Sequence, residues 1–414
     1  MADTRTTSEI ASLQPERLKS LDAYRGFTML AMASGGFGLA TAARQFPEDQ
    51  TWQTVKYQFS HVEWVGCSLW DLIQPSFMFM VGVSMAYSYA GRAGKGQSYF
   101  RMLVHAARRA LVLVALGVFL RSNGRPATQW TFEDVLSQIG MGYIFLFLLW
   151  GRSAKIQLAA AILLLVGYWG LFAAWPTPSA DFDYASIGIT TEWQQEHALT
   201  GFAAHWNKNF NPANAFDVWF LNLFSRTEAY QFNGGGYQTL SFIPSLATMI
   251  FGLMAGGLLR GEMRGTRKFL VLVYCGIFCL AAGWALGQTG ICPIVKRIWT
   301  PSWAIYSTGW TLLILAACYM IIDMWKVRFW AFPGVVVGMN SIAMYFLYQT
   351  IRPWIRQTTK THFGAEIFQI FCNDPTAVES HCEAWAAITT NVFTLAILWL
   401  ICFWMYRRKV FVRI

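Results

Sequence analysis

The chain has 414 residues, of which 55% are hydrophobic, 16% aromatic and only 13% charged, where a soluble domain is about 25% charged. So little charge cannot cover a water-soluble body of this length. The composition therefore excludes a soluble, disordered, collagen-like or disulfide-scaffold protein and predicts an all-α polytopic membrane protein. The net charge of +10 then concerns where basic residues sit relative to the membrane, and no nucleic-acid partner is expected.

Residues 1–20 are polar, without the apolar core of a signal peptide, so the first apolar run is expected to be a retained helix. They are read as a cytoplasmic N-terminal segment, with residues 21–405 as the membrane domain and 406–414 as a basic cytoplasmic tail. A spanning helix needs about 20 mostly apolar residues. Segments that fit are 21–43, 66–90, 104–121, 131–150, 157–175, 240–260, 268–288, 303–323, 330–351 and 386–405, which predicts a bundle of about ten helices. Basic residues crowd the alternate short loops, at Arg92, Arg101, Arg108, Arg109, Arg260 and Lys268 among others, and 20 of the 32 fall on one side. The positive-inside rule places that side, and both termini, in the cytoplasm.

Three long segments, 44–65, 176–239 and 352–385, then lie outside. Loops this long usually serve a function, so the substrate is expected to arrive there. Trp193, Trp206, Trp219 and Tyr230 offer flat faces for a sugar, or else form an interfacial belt. Cys372 and Cys382 either form a local disulfide or remain free thiols. Five other cysteines lie in apolar runs, and with no CxxC or Cys/His spacing no metal is expected.

An ionisable group inside a span costs at least about 2.5–3.5 kcal/mol, which makes it a functional candidate. Asp22 and Arg25 share a helix face and either pair to anchor the first helix or present a guanidinium to an anion. His61 and Asp71 suit a general base and the carboxylate that orients it. On one continuous helix they would stand about 15 Å apart, so their contact requires Gly66 to break the run. Trp64 adjoins them as a substrate-binding candidate beside Lys296, Arg297, Trp299 and Ser302, which either hold an anionic or sugar substrate or anchor a helix end. Gln138, Asn340 and Ser341 are polar positions within spans, fit either to bridge helices or to line a cavity. GxSxG, HExxH and P-loop patterns are absent.

In chain order, RLKSLDAYRG, HVEWVGCSLWDLIQPSFMFMVG, RRALVLVALG, VLSQIG, PSLATMIFGLMAG, KRIWTPSW and GMNSIAMY resemble the heparan-α-glucosaminide N-acetyltransferase type of transmembrane acyltransferase. The resemblance implies transfer of an acetyl group from cytoplasmic acetyl-CoA to a sugar amine or hydroxyl across the membrane. It makes His61 the catalytic histidine, as base or as acetyl carrier, and Asp71 its acidic partner. Arg25 matches the arginine of the first pattern, and Asn340 the polar position of a late helix. With Asp22, Gln138 and Ser341 they form the expected donor site. Where the animal enzyme has an asparagine in its first helix, this chain reads Ala33-Ser-Gly-Gly-Phe37, so Ser34 or another loop is left to supply that contact. The chain starts almost at the first pattern, so the large lumenal N-terminal domain is expected to be missing and the acceptor does not carry over. The implied partners are membrane lipid and a glycan acceptor, the expected location is a bacterial inner membrane, and the apolar exterior also admits a homodimer. A polytopic transporter of a sugar, amphiphile or anion is the alternative, although the matching repeats that often mark one are not visible.

Overall fold

The computed structural model describes residues 18–179, 181–369 and 379–412. Its α-helices are α1 (Lys19–Ala33), α2 (Leu39–Ala43), α3 (Gln50–Gln58), α4 (Ile73–Ala93), α5 (Tyr99–Ser122), α6 (Val135–Leu149), α7 (Ala154–Ala173) and α8 (Thr191–His197). They continue as α9 (Pro212–Leu221), α10 (Phe242–Arg260), α11 (Gly265–Gln288), α12 (Pro301–Cys318), α13 (Phe332–Gly338), α14 (Ser341–Phe363) and α15 (Glu379–Arg407). Extended pairing among the described residues is limited to one antiparallel bridge, Val65 with Val295. The all-α expectation is met.

Among the described residues six helices are long and apolar enough to cross a membrane, and eight if each of two bent pairs counts as one span. The bends fall between α1 and α2 (45°) and in the region joining α13 to α14 (72°). Each of the ten expected segments coincides with helix, but α4 is too rich in Ser, Tyr and Gly, and the 15-residue α6 too short, to pass the same test. Six to eight spans is therefore what length and apolarity establish. Cys372 lies outside the described residues, as do residues 1–17 of the N-terminal segment and 413–414 of the tail.

Burial sorts the helices into an inner and an outer set. Two thirds of the most apolar window of the α10 span, 67%, is buried, against 17% for α11 and for α15. Leu111, Leu163 and Phe278 are all more than 70% exposed on otherwise apolar helices, a surface that suits hydrocarbon rather than water. At the centre, α4 and α10 run parallel in close contact. A Cβ on Gly82 would come within 1.9 Å of the Met249 carbonyl oxygen, and one on Gly252 within 2.0 Å of that of Phe79. Glycine is required here because the backbones touch, the small-residue packing by which membrane helices associate.

Since α4 has 21 residues, it is about 30 Å long, and it separates two ends of the bundle. One end carries His61, Asp71 and the starts of α10 and α12. The other carries Arg92, Arg260 and the start of α1, whose Lys19 and Ser20 backbone N–H groups donate to Asp323 at 3.1 and 3.2 Å.

Candidate active site

The segment between α3 and α4 is not one helix. After Gln58 the chain runs irregularly to a short 3₁₀ turn over Trp70–Leu72. Gly66 turns it with φ +133°, a backbone conformation closed to most L-residues, and a Cβ there would meet Val62 at 3.2 Å. That turn folds residues 61–65 back over Asp71. His61 Nδ1 comes to 2.8 Å from Asp71 Oδ1, where a continuous helix would hold the two about 15 Å apart. Gly66 breaks the run as the contact demanded.

Asp71 is 1% exposed and well supplied with donors. Its Oδ2 accepts the backbone N–H groups of Val62 and Ser68, each at 3.2 Å. The Ser68 hydroxyl lies 2.9 Å from Oδ2 and 2.7 Å from the Ser60 carbonyl, with one proton to give to either. Oδ1 takes His61 and also Lys296, whose Nζ stands 3.0 Å away. Lys296 Nζ is 2.9 Å from His61 Nδ1 as well. The reading of Lys296 as a rim cation is thus corrected: its side chain is 7% exposed, and its partner is a buried carboxylate.

Lys296 is brought there by a tightly bonded loop. The Gly66 N–H donates to the Ile294 carbonyl at 2.9 Å, next to the Val65–Val295 bridge. Trp299 takes a left-handed conformation, φ 49°, and its N–H returns to the Lys296 carbonyl at 2.9 Å. The Thr300 hydroxyl accepts from the Val295 and Trp303 N–H groups, capping α12, while Ser302 Oγ donates to the Pro293 carbonyl at 2.7 Å. Arg297 clamps two segments together through the Val62 and Gly235 carbonyls and an ion pair with Glu63 at 3.2 Å.

His61 itself stays accessible, with its side chain 42% exposed. Both of its polar contacts are at Nδ1, which can bond one of the two partners at a time, so Nε2 has no protein partner among the described residues. Loss of hydration lowers its pKa from the ordinary 6.5; Asp71 opposes that shift and Lys296 adds to it. The ring is neutral at pH 7 and able to accept a proton.

Other expected site residues are engaged elsewhere. Trp64 is 1% exposed and its indole N–H donates to the Trp206 carbonyl at 3.1 Å, so it packs beneath the site. Trp299 and Ser302 are equally buried and hold the loop. Gln138 gives its amide N–H groups to the carbonyls of Phe132 and Thr239. Asn340 grips the tail, donating to the Val410 carbonyl and accepting from the Val412 N–H, both at 3.0 Å, with Ser341 beginning α14 beside it. Ser34 Oγ donates to the Ala31 carbonyl within its own helix. Arg25 donates to Ser84 Oγ and the Gly338 carbonyl; Ser84 is about 20 Å along α4 from Asp71. Arg25 therefore stands partway down the bundle, while the buried Asp22 lies in the first turn of α1. Of the four aromatics expected to stack on a sugar or form an interfacial belt, Trp206 is fully buried and Trp193 packs edge-on against Trp64. Trp219 is 61% exposed, and Tyr230 lines a cavity of about 460 Å³ with Gln129 and Arg226.

At the far end, Arg92 Nη2 lies 2.7 Å from His105 Nε2, and Tyr89 Oη 3.2 Å from its Nδ1. Arg109 sits over the Tyr143 ring, and its buried Nε has no hydrogen-bond partner among the described residues. Arg260 lies over Tyr87 and donates to the Ala86 carbonyl. Among the described residues none of these three arginines pairs with a carboxylate. The sequence marked Arg92 and Arg109 only as loop charge.

No family model matches the chain. The heparan-alpha-glucosaminide N-acetyltransferase of Homo sapiens is 23% identical to it over 444 residues, covering 97% of this chain and 61% of that protein. The Mus musculus protein of the same name is 22% identical over 452 residues, covering 98% of this chain and 62% of its own length. The chain thus spans less than two thirds of the curated relatives it matches.

Proposed function

We propose that this chain, a distant relative of the heparan-alpha-glucosaminide N-acetyltransferases, is a membrane acetyltransferase that takes its acetyl group from cytoplasmic acetyl-CoA. The acceptor is a sugar amine or hydroxyl at the His61 end, on the far side of the membrane. The observation that carries this reading is the pairing of an accessible neutral histidine with a saturated carboxylate. Likeness to N-acetyltransferases supports the reaction class.

In the proposed reaction the acceptor N–H or O–H gives its proton to His61 Nε2 as the nucleophile attacks the thioester carbonyl. The carbon–sulfur bond then breaks, and the imidazolium returns the proton to the leaving thiolate. Were the histidine the nucleophile instead, the same nitrogen would carry the acetyl group. Asp71 fixes the ring through Nδ1. At the other end, Arg92, Arg109 and Arg260 meet what a polyphosphate requires: guanidinium groups that pair with no carboxylate among the described residues, one of them with a buried unused donor. The separation of about 30 Å along α4 leaves an extended donor to reach from one end to the other. The reading includes about ten spans with both termini in the cytoplasm of a bacterial inner membrane, a glycan acceptor and a lipid surround. It requires neither a metal nor nucleic acid, and a homodimer is the assembly to test.

The test is thermal unfolding of the detergent-purified protein with and without acetyl-CoA, beside His61→Ala. A ligand of the folded state alone adds about 2.7 kcal/mol at a hundredfold excess over Kd. Both proteins should gain Tm, with acetyl transfer lost only in His61→Ala. No gain in either, at millimolar acetyl-CoA, would favour the transporter alternative.

A further inference from the structure

His61 Nδ1, Asp71 Oδ1 and Lys296 Nζ form a triangle with sides of 2.8, 2.9 and 3.0 Å. A neutral imidazole nitrogen carries either a proton or a lone pair, so Nδ1 donates to Asp71 or accepts from Lys296, never both. The two cases are the two tautomers. Donation to Asp71 leaves the lone pair on Nε2, where a base needs it. Acceptance from Lys296 puts the ring proton on Nε2 instead. The ammonium group has three donors and can serve Asp71 in either case.

We propose that Lys296 is a positioning residue for His61: by sharing the Asp71 carboxylate it admits both ring tautomers without movement and keeps the ring from resting as an imidazolium. Asp71 facing His61 alone would favour a second proton on the ring, as an opposite charge beside an imidazole does. With Lys296 already on Oδ1, that pull is shared. In the proposed transfer, a proton taken at Nε2 is then passed on rather than retained; this consequence rests on the acetyltransferase reading, while control of the ring's proton rests on the geometry alone.

The charged and titratable groups around the ring are few. Glu63, Cys67 and Asp71 come from its own segment, and Tyr57 from the preceding α3. Lys296 and Arg297 face it from the loop before α12, with Lys208 behind Arg297. Glu63 is committed to Arg297, and the Tyr57 hydroxyl donates to the Cys67 carbonyl. Lys296 is therefore the cation whose removal changes what Asp71 does to the ring.

The experiment needs no substrate. Diethyl pyrocarbonate acylates neutral imidazole, so its rate of reaction at His61 against pH, followed by peptide mass spectrometry, titrates the ring. His61→Asn identifies the product peptide. The wild-type midpoint should lie below 6.5, and Lys296→Met should raise it by about one pH unit, while Lys296→Arg keeps it low. An unmoved midpoint in folded Lys296→Met overturns the proposal. Histidine ¹⁵N shifts of the wild-type protein give a second readout that depends on no variant's folding. Both tautomers should be populated, and a ring protonated solely at Nδ1 would overturn it. A raised midpoint in a protein that neither binds acetyl-CoA nor transfers acetyl groups would sink the acetyltransferase reading and leave the role of Lys296 intact.

Discussion

The two ends of the bundle treat charge in opposite ways. Around His61 two cations have their acids: Lys296 with Asp71, Arg297 with Glu63. At the far end Arg92 meets the His105 imidazole, Arg109 and Arg260 lie over aromatic faces, and Arg260 also donates to a backbone carbonyl. A cluster neutralised from within is a fixed device, held in one geometry before any ligand arrives. A cluster without internal acids leaves charge that an anion from outside can balance. In the proposed reaction the difference fits proton transfer at the first and recognition of a charged donor at the second.

The sharpest way to break that contrast is to unbalance the His61 end. Asp71→Ala leaves the buried Lys296 without its carboxylate, and losing one partner of a buried pair costs about 3–5 kcal/mol. Chemical or thermal unfolding should show a loss of that order together with loss of acetyl transfer. Wild-type stability in Asp71→Ala would mean that Lys296 is not committed to the carboxylate.

The far end should respond in binding rather than in folding. Arg92→Gln with Arg109→Gln removes charge-assisted contacts worth roughly 1.5–3 kcal/mol each to a bound anion. The acetyl-CoA-dependent gain in Tm should disappear at concentrations that stabilise the wild type, while the Tm without ligand changes little. A retained gain would place the donor elsewhere in the bundle.

The smallest effect is expected at Glu63, whose side chain is 58% exposed. An exposed ion pair contributes about 0–1 kcal/mol, so Glu63→Gln should lie within that range of wild-type stability. A larger loss would show that the Arg297 clamp on the Val62 and Gly235 carbonyls depends on its acid.

The pH response of the proposed acetyl transfer follows from His61. Since its pKa is lowered, the neutral base persists as pH falls past 6.5. The acid limb of kcat/KM should therefore lie below that value, and a limb above it would exclude this ring as the base.

Composition alone determined the class of this protein, because 13% charge cannot clothe a soluble chain of 414 residues. Local pattern located the apolar helices but not their ends: α14 runs to Phe363, twelve residues past the expected end at 351 and into the segment read as an outer loop. His61 and Asp71 were legible because ionisable residues at the edge of an apolar run are costly unless used. The rest depended on long-range pairing. Lys296 is 225 positions from Asp71, and no local periodicity relates them. Trp64, Trp299 and Ser302 look in sequence like an exposed aromatic and polar rim, yet the bridge between Val65 and Val295 turns them inward. Gln138 and Asn340 were polar in a span for a structural reason, each satisfying backbone groups that lipid could not. Sequence set which groups had to be satisfied; only the tertiary structure decided by whom, because a buried charge takes its partner from whatever the fold brings within 3 Å or so.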